Sequence, residues 1–311
     1  MEFHHLPVLL TECMDGLRIV PGGEYLDCTL GGGGHTLEML RRGGRVTGID
    51  RDADAIAAAS ARVESFLRET GTDASAFRAV RGNFHDAATL VGETHFDGIL
   101  ADLGVSSFQL DCRERGFSYH EDAPLDMRMD ASQPRTAADL VNNASEDELT
   151  RIFRDYGEEK WARQIARVIA DRRPIATTLQ LVAAIDAAIP KKVRAKDGSH
   201  PARRVFQALR IAVNDELEPL RAALEMLVGL LKPGGRLCVI AFHSLEDRIV
   251  KNTFRTLADP CTCPKNLPVC VCGKKPVVRL ITRKPIVAAA EELEKNPRAR
   301  SATLRIVEKL P

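Results

Sequence analysis

The chain has 311 residues, of which 44% are hydrophobic and 28% charged, and its 44 Lys and Arg nearly balance its 43 Asp and Glu. This is the composition of a soluble globular protein of one large domain or two, and a net charge of +1 does not by itself indicate a nucleic-acid partner. No apolar run is long enough to span a bilayer and no signal peptide is evident, so we expect a cytoplasmic protein with no membrane partner.

The first third of the chain alternates predicted strands and helices. A helix is predicted over 11–17, and a second, with Asp52 as its N-cap, carries apolar residues on one face. The predicted strands cover residues 25–26, 44–50, 77–80 and 96–104. Alternation of this kind indicates βαβ units and a parallel sheet, that is, an α/β fold.

The alternation then stops for about 130 residues, which is far longer than one crossover connection. Within this stretch, Ser145 with Glu148 and Thr177 with Gln180 form capping-box patterns before helical periodicity. Predicted strands resume over 236–242, 277–281 and 302–307, and the last two should complete the edge of the sheet. We therefore expect a core of residues 1–110 and 214–311, interrupted by a helical domain over 111–213.

Four consecutive glycines, Gly31 to Gly34, follow the first predicted strand and open a helix. Such a loop allows positive φ angles and turns backbone N–H groups toward a ligand. The dinucleotide pattern G-x-G-x-x-G does not fit, because Thr36 or Leu37 would stand at its third glycine. An acid-x-Gly-x-Gly-x-Gly pattern fits better, with Asp27 as the acid and Thr29 in place of the first glycine.

Further polar and aromatic residues follow the other predicted strands. Asp50, 19 residues after Gly31, can accept both hydroxyls of a ribose, Phe84 can flank an adenine, and Asp102 faces the same crevice. Each of these residues, taken singly, could instead have a purely structural role in a turn or a helix cap. Their joint placement at the carboxyl ends of strands favours S-adenosylmethionine over NAD as the cofactor.

The eight cysteines fall into two groups. Four are scattered and are interpreted as small core residues, namely Cys13, Cys28, Cys112 and Cys238. The other four are close together in a Pro-rich segment: Cys261, Cys263, Cys270 and Cys272. In a cytosolic chain such a cluster suggests metal before disulfide. The one-residue gaps differ from the spacing usual for zinc, so a redox-sensitive or structural loop is favoured and no metal is assigned.

Long motifs along the chain resemble one known family. They are Gly33-Gly34-His35, Ile49-Asp50-Arg51-Asp52, the segments over 102–110, 114–118, 124–130 and 156–159, Phe206-Gln207-Ala208-Leu209-Arg210-Ile211, Phe242-His243-Ser244-Leu245-Glu246-Asp247-Arg248, and Asn296-Pro297-Arg298-Ala299-Arg300-Ser301. Together they are similar to the ribosomal small subunit methyltransferase H family over essentially the whole chain.

The resemblance implies methylation of the N4 amino group of one cytidine in 16S ribosomal RNA, near the decoding centre, with S-adenosylmethionine as donor. It also implies a Rossmann-like class I methyltransferase sheet with an inserted helical domain. The cofactor residues carried over by motif are Gly33, Gly34, His35, Asp50, Phe84, Asp102 and Gln109. Family members often lack a glycine at the position of Gly32, so we expect Gly32 to loosen the loop without removing a contact.

The chemistry requires a group that accepts a proton from the amino nitrogen, and a carboxylate is the natural choice. Asp102 is the first candidate, with a contact to the methionine ammonium of the cofactor as its competing role. His243 follows the fifth strand on the same side and could touch the base. However, Ser244 and Asp247 form a capping pattern there, so His243 is balanced between function and packing.

Two basic segments predict contacts with a polyanion. Residues 191–204 hold six Lys and Arg against one Asp, and residues 274–311 hold ten against four Glu. The candidate RNA contacts are Lys191, Lys192, Arg194, Lys196, Arg203 and Arg204 on the inserted domain, the expected RNA-substrate domain, with Arg298 and Arg300 on the tail. For each one alone, a solvated surface position is the simpler explanation.

Three rival functions stay open at this point: an NAD-linked oxidoreductase, which the glycine spacing disfavours; an RNA-binding assembly factor with an inactive cofactor site; and a DNA cytosine methyltransferase. The sequence does not determine the oligomeric state, and a homodimer is compatible with it.

Overall fold

The computed structural model describes residues 7–194, 200–264, 269 and 271–311. Its chain divides into a sheet unit, Met1–Gly104 with Leu217–Pro311, and a helical unit, Val105–Glu216. The helical unit starts at Val105 rather than at 111 and ends at Glu216 rather than at 213. The unit extends to Glu216 because Glu216 forms an ion pair at 2.8 Å with Arg210, which lies on the last helix of this unit.

Seven strands form one sheet in the sheet unit. They are β1 (Glu24–Asp27), β2 (Arg45–Asp50), β3 (Phe77–Arg81), β4 (Phe96–Asp102), β5 (Leu231–Ala241), β6 (Val278–Leu280) and β7 (Thr303–Lys309). Their order is β3-β2-β1-β4-β5-β7-β6. The first five are parallel, whereas β7 pairs antiparallel with both β5 and β6. The predicted α/β fold, with the last two strands at the sheet edge, is confirmed.

Helices cover both faces of this sheet. They are α1 (Leu10–Leu17), α2 (Gly34–Arg41), α3 (Ala53–Thr70), α4 (Ala87–Val91), α12 (Leu220–Leu230), α13 (Ser244–Ala258) and α14 (Ala290–Lys295). Adjacent residues of β1 enter different cores: Tyr25 packs with residues of α1, α2 and α3, and Leu26 with residues of α4, α12 and α13. Strands buried on both faces explain the near-continuous apolar runs in the sequence.

The strand order places the ligand crevice. β2 and β3 lie on one side of β1, while β4 and β5 lie on the other, so the direction of winding reverses between β1 and β4. In open α/β sheets, ligands bind beyond the carboxyl ends of the strands at such a reversal. The residues that follow β1, β2, β3 and β4 are therefore the ones expected to contact a ligand.

The helical unit has its own apolar core. Its helices are α5 (Ser107–Asp111), α6 (Ala137–Asn143), α7 (Glu146–Asp155), α8 (Ala162–Asp171), α9 (Thr178–Ala188), α10 (Lys191–Arg194) and α11 (Ala202–Asn214). The predicted capping box of Thr177 with Gln180 is present. At Ser145 only half of the predicted box forms: the Ser145 hydroxyl accepts from the Glu148 amide, and the Glu148 carboxylate lies 3.6 Å from Arg135.

None of the helices in the described ranges combines the length and apolar character that a membrane crossing needs.

Candidate active site

The glycine loop is held by the acid that ends β1. Asp27 is 1% exposed, and its carboxylate accepts hydrogen bonds from the Thr29 amide at 3.1 Å and the Thr36 hydroxyl at 2.7 Å. These two donors lie on either side of the four glycines, so Asp27 ties both ends of the loop together. Burial raises the pKa of Asp27 to about 6, against the lowering effect of its two donors.

Asp50 at the end of β2 supports the same loop. One carboxylate oxygen accepts from the Gly31 amide at 2.8 Å, and the other accepts from the Asp52 amide at 2.9 Å. A carboxylate offers about four lone-pair sites, so these two bonds leave capacity for the hydroxyls of a ribose. Burial raises the pKa of Asp50 above its ordinary value. Asp52 forms the predicted N-cap of α3 by accepting from the Asp54 amide.

The glycines themselves differ in what they require. Gly33 has φ 73° and caps α2, and a Cβ there would lie 3.3 Å from the Ala59 Cβ. A Cβ on Gly34 would lie 2.5 Å from the Pro7 Cγ. At Gly32, by contrast, a Cβ would meet no atom of the described residues within 4 Å. A side chain at Gly32 would therefore touch none of the described residues, and the looser loop expected from this glycine stays a prediction.

His35, the second residue of α2, faces Asp102 at the end of β4. Burial lowers the pKa of His35 to about 4, so its imidazole is neutral at pH 7. Its Nε2 lies 3.0 Å from the Val8 carbonyl, an acceptor, which assigns the proton to Nε2. The Nδ1 lone pair then faces Asp102 Oδ2 at 3.9 Å, which is too far for a hydrogen bond.

Asp102 lacks the partners that stabilise a buried carboxylate. Its side chain is 25% exposed, yet its Oδ1 is buried and has no hydrogen-bond partner among the described residues. Burial raises the pKa of Asp102 well above its ordinary value, and the charges of Asp27 and Glu246 raise it further. Within the described ranges, no Lys or Arg forms an ion pair with Asp27 or Asp102. The crevice is therefore suited to a positively charged ligand.

Phe84 follows β3 in a short 3₁₀ turn that Asn83 caps, with the Asn83 Oδ1 accepting from the His85 amide at 3.1 Å. The Phe84 ring is partly exposed and meets the His85 ring edge-on, with centroids 4.5 Å apart. Phe84 thus lies beside the carboxyl end of β3, and its contact with an adenine stays a prediction.

His243 caps α13, and the capping pattern expected from the sequence is wrong by one residue. The box joins His243 with Glu246, not Ser244 with Asp247: His243 Nδ1 accepts from the Glu246 amide at 3.3 Å. Asp247 instead forms a bidentate ion pair with Arg305 on β7, at 2.6 and 2.9 Å. The geometry favours the packing explanation for His243, whose side chain is only 9% exposed.

Sequence reasoning missed Glu246 as a member of this site. It is 2% exposed and accepts from the Phe242 amide at 2.8 Å, and its charge raises the pKa of Asp102. A glutamate in the first turn of the helix after β5 was a signal that could have found it. Thr29 was noted only as a glycine substitute, whereas its hydroxyl accepts from the Asp102 amide at 2.7 Å.

Gln109 lies in the helical unit and is 4% exposed. Its side-chain Oε1 accepts from the Ser106 amide at 3.0 Å, and its own amide donates to the Ser106 hydroxyl at 3.2 Å. These bonds fix the first turn of α5.

The candidate RNA contacts divide by their environment. Lys191, Lys192, Arg203 and Arg300 are exposed. Arg204 instead forms an ion pair at 2.5 Å with Glu159, whose side chain is fully buried, so its first role is to satisfy that carboxylate. Arg194 contacts Asp186 at 2.5 Å, and Arg298 is half-buried. Lys196 and Cys270 lie outside the described residues.

The loop geometry predicts different outcomes for two neighbouring alanine substitutions. Gly33→Ala forces a side chain into the left-handed region and should lower the free energy of unfolding by about 1–3 kcal/mol. Gly32→Ala is the matched control and should change it by less than about 0.5 kcal/mol. Urea unfolding followed by circular dichroism measures both. Equal losses in the two variants would contradict the assigned backbone of the loop.

The Asp102 carboxyl should destabilise the native state, so we expect its replacement by Asn to give a more stable protein. Above the pH at which unfolded carboxyls ionise, about 4, the native state either charges an unfavourably placed Asp102 or keeps it protonated, and both cost free energy. Asp102→Asn should therefore raise Tm at pH 8 by about 2–4 °C, and this gain should shrink toward pH 4. Differential scanning calorimetry across this range measures the gain.

Asp73→Asn is the control, because the pKa of Asp73 is shifted in the opposite direction to that of Asp102. Asp73 is an exposed residue that caps the 3₁₀ turn before β3, and hydrogen bonds from Ser75 lower its pKa. Its replacement should lower Tm slightly or leave it unchanged at pH 8. A Tm of Asp102→Asn below that of the wild type at every pH would show that the Asp102 carboxylate is compensated in the native state.

Comparison with known proteins assigns the family. The model of the MraW methylase family matches residues 2–310. The ribosomal RNA small subunit methyltransferase H of Symbiobacterium thermophilum is 56% identical over 319 residues, covering 100% of this chain and 98% of the relative. The protein of the same name from Carboxydothermus hydrogenoformans is 53% identical over 317 residues, with coverage of 100% and 99%. The family expected from the motifs is confirmed: the chain belongs to the MraW methylase family.

Proposed function

We propose that this protein methylates the N4 amino group of one cytidine in the 16S RNA of the small ribosomal subunit, near the decoding centre, with S-adenosylmethionine as the methyl donor. Family membership and the names of the relatives support an RNA of the small subunit as substrate. Action in the cytoplasm follows from that substrate. The observation that carries the chemistry is the buried, unpartnered Asp102 Oδ1 at the end of β4.

The residues present fit the proposed cofactor. When bound, S-adenosylmethionine supplies a methyl group on a positively charged sulfur, next to a methionine ammonium. Asp102 and Asp27 provide negative charge without a paired Lys or Arg in the described chain, which favours a ligand of positive charge. Asp50 retains acceptor capacity for ribose hydroxyls, and Phe84 offers an aromatic face for adenine. The open space beside Gly32 lets a ligand approach the backbone.

Asp102 is suited to accept the proton that the amino group must lose. The N4 lone pair of cytosine is conjugated with the ring, so the nitrogen becomes a good nucleophile only as its N–H bond weakens. The bound cofactor would supply the methyl group that N4 takes up, and an Asp102 oxygen would take the proton that N4 loses. A carboxylate with a raised pKa is a stronger base than an ordinary one, which suits it to this transfer.

His35 and Asp27 act through Asp102. Because the neutral His35 directs Nδ1 and not an N–H toward Asp102 Oδ2, it does not stabilise the ionised carboxylate. Asp27 and Glu246 raise the pKa of Asp102 by charge repulsion. A cation bound in the crevice would lower that pKa again and keep Asp102 ionised until the proton arrives. His243 supports the start of α13 and needs no role in proton transfer.

For the RNA, we propose that the helical unit is the substrate domain and that Lys191, Lys192 and Arg203 contact phosphates. Among the described residues of the predicted set on that unit, these three are exposed. Arg300 is the exposed candidate on the tail. Arg204 and Arg194 are occupied by acidic partners within the helical unit and are assigned structural roles. Gln109 is proposed as a cofactor residue on the family resemblance alone.

Methyl transfer to small ribosomal subunits tests the proposal. The substrate is subunits from a bacterial strain that lacks its own enzyme of this family, and the modified nucleotide is mapped by mass spectrometry after nuclease digestion. We expect wild type to methylate one cytidine at N4. Asp102→Asn should lose about 10²–10⁴ in kcat, the usual contribution of a general base. Asp73→Asn should retain wild-type activity.

Each alternative gives a distinct result. Bound S-adenosylhomocysteine without any transfer would favour an RNA-binding assembly factor, and preferential methylation of DNA would favour a DNA methyltransferase. Binding of NADH without binding of S-adenosylhomocysteine would overturn the cofactor assignment. Full activity in Asp102→Asn would show that another group accepts the proton.

A further inference from the structure

We propose that Cys261, Cys263 and Cys272 form a thiolate site for a zinc ion in the segment that links α13 to β6. The one-residue gap within each cysteine pair favoured a redox-sensitive or structural loop. The structure adds an observation that spacing could not supply, namely that cysteines from opposite ends of the segment meet. Neither the family nor the proposed methyl transfer assigns this segment a role.

The distances between the sulfur atoms suit a tetrahedral metal. The three Sγ atoms all lie within 4.8 Å of one another, and Cys261 Sγ is 3.9 Å from Cys272 Sγ. Zinc–sulfur bonds of about 2.3 Å at tetrahedral angles place two thiolates about 3.8 Å apart. A disulfide would bring the sulfurs to about 2.05 Å, so the Cys261–Cys272 contact is not a covalent one.

The local backbone also suits coordinated thiolates. The Val271 amide donates to Cys263 Sγ at 3.4 Å, and backbone amides that donate to ligand sulfurs are a common support around metal sites. In an extended chain, side chains at i and i+2 point to the same side, so a one-residue gap lets both Cys261 and Cys263 face one ion. Cys270 is the remaining cysteine of this segment and lies outside the described residues.

A metal cross-link would stabilise this segment, which has few other stabilising contacts among its described residues. Its base is closed by a hydrogen bond from the Val277 amide to the Leu257 carbonyl at 3.0 Å. Beyond that bond the described residues of the segment have little apolar burial, since Val269 is 70% exposed and Val271 is 76% exposed. Metal binding can supply the ordering free energy that such a segment lacks.

The three cysteine thiolates indicate which metal ion the site would bind. Thiolates select zinc, copper(I) or iron–sulfur clusters, whereas magnesium and calcium prefer oxygen ligands. Zinc has no redox chemistry and no geometric preference of its own, which fits a site that orders a loop and takes no part in the methyl transfer. The site is therefore expected to be structural.

Metal analysis of the full-length chain tests the proposal. The protein is produced without a histidine tag in medium that contains zinc, and its metal content is measured by plasma mass spectrometry. We expect about one zinc per chain for wild type and for the control Cys112→Ser, whose cysteine is outside the cluster. Cys263→Ser and Cys272→Ser should each retain less than about a tenth of that amount.

A second measurement on the wild type does not depend on any variant folding. The zinc-free chain titrated with cobalt(II) should develop thiolate-to-metal charge-transfer bands and the strong visible bands of tetrahedral cobalt, which zinc then abolishes. Binding of S-adenosylhomocysteine should be the same in the wild type and in Cys263→Ser, which separates this proposal from the proposed function. Absence of zinc and of cobalt bands, equal zinc in Cys263→Ser, or a Cys261–Cys272 disulfide in freshly purified protein would each overturn it.

Discussion

Burial of acidic side chains without a cation beside them is the constraint on which the candidate site depends. Asp27 is almost fully buried, and two hydrogen-bond donors compensate its burial only in part, so its pKa rises to about 6. Asp102 has a buried oxygen that no group in the described part of the chain hydrogen-bonds, and it is subject to the charges of Asp27 and Glu246. Such an arrangement lowers the stability of the empty protein, and a positively charged ligand would relieve it.

The sheet makes this arrangement unavoidable once the strands pair. β1 and β4 are parallel neighbours, and Asp27 pairs with Leu100, two residues before Asp102. Both acids therefore come to the same edge, and because side chains alternate along a strand, Asp102 lies on the same face as Leu100. A shift of one residue in this pairing would move Asp102 to the other face of the sheet. The register thus controls both the apolar cores and the chemistry at the strand ends.

Local patterns in the sequence predicted the strand ends, the glycine loop, the insertion and the roles considered for Asp50 and Asp102. They did so because periodicity and turn chemistry are properties of short segments. Features that depend on distant partners could not be predicted. Arg204 was expected at RNA, but Glu159, 45 residues earlier, engages it. The cap at His243 differed from expectation because histidine is an unusual N-cap residue. The convergence of three sulfurs across a loop is likewise visible only in three dimensions.

The most direct test of the central claim is the proton balance of cofactor binding. Isothermal titration calorimetry with S-adenosylmethionine, in buffers of different ionisation enthalpy between about pH 5 and 7, counts the protons exchanged while the α-amino group of the cofactor stays protonated. A cation binds best to ionised carboxylates, so wild type should release protons and bind more tightly as pH rises, and Asp102→Asn should release fewer. An affinity independent of pH, with no proton released, would contradict the account.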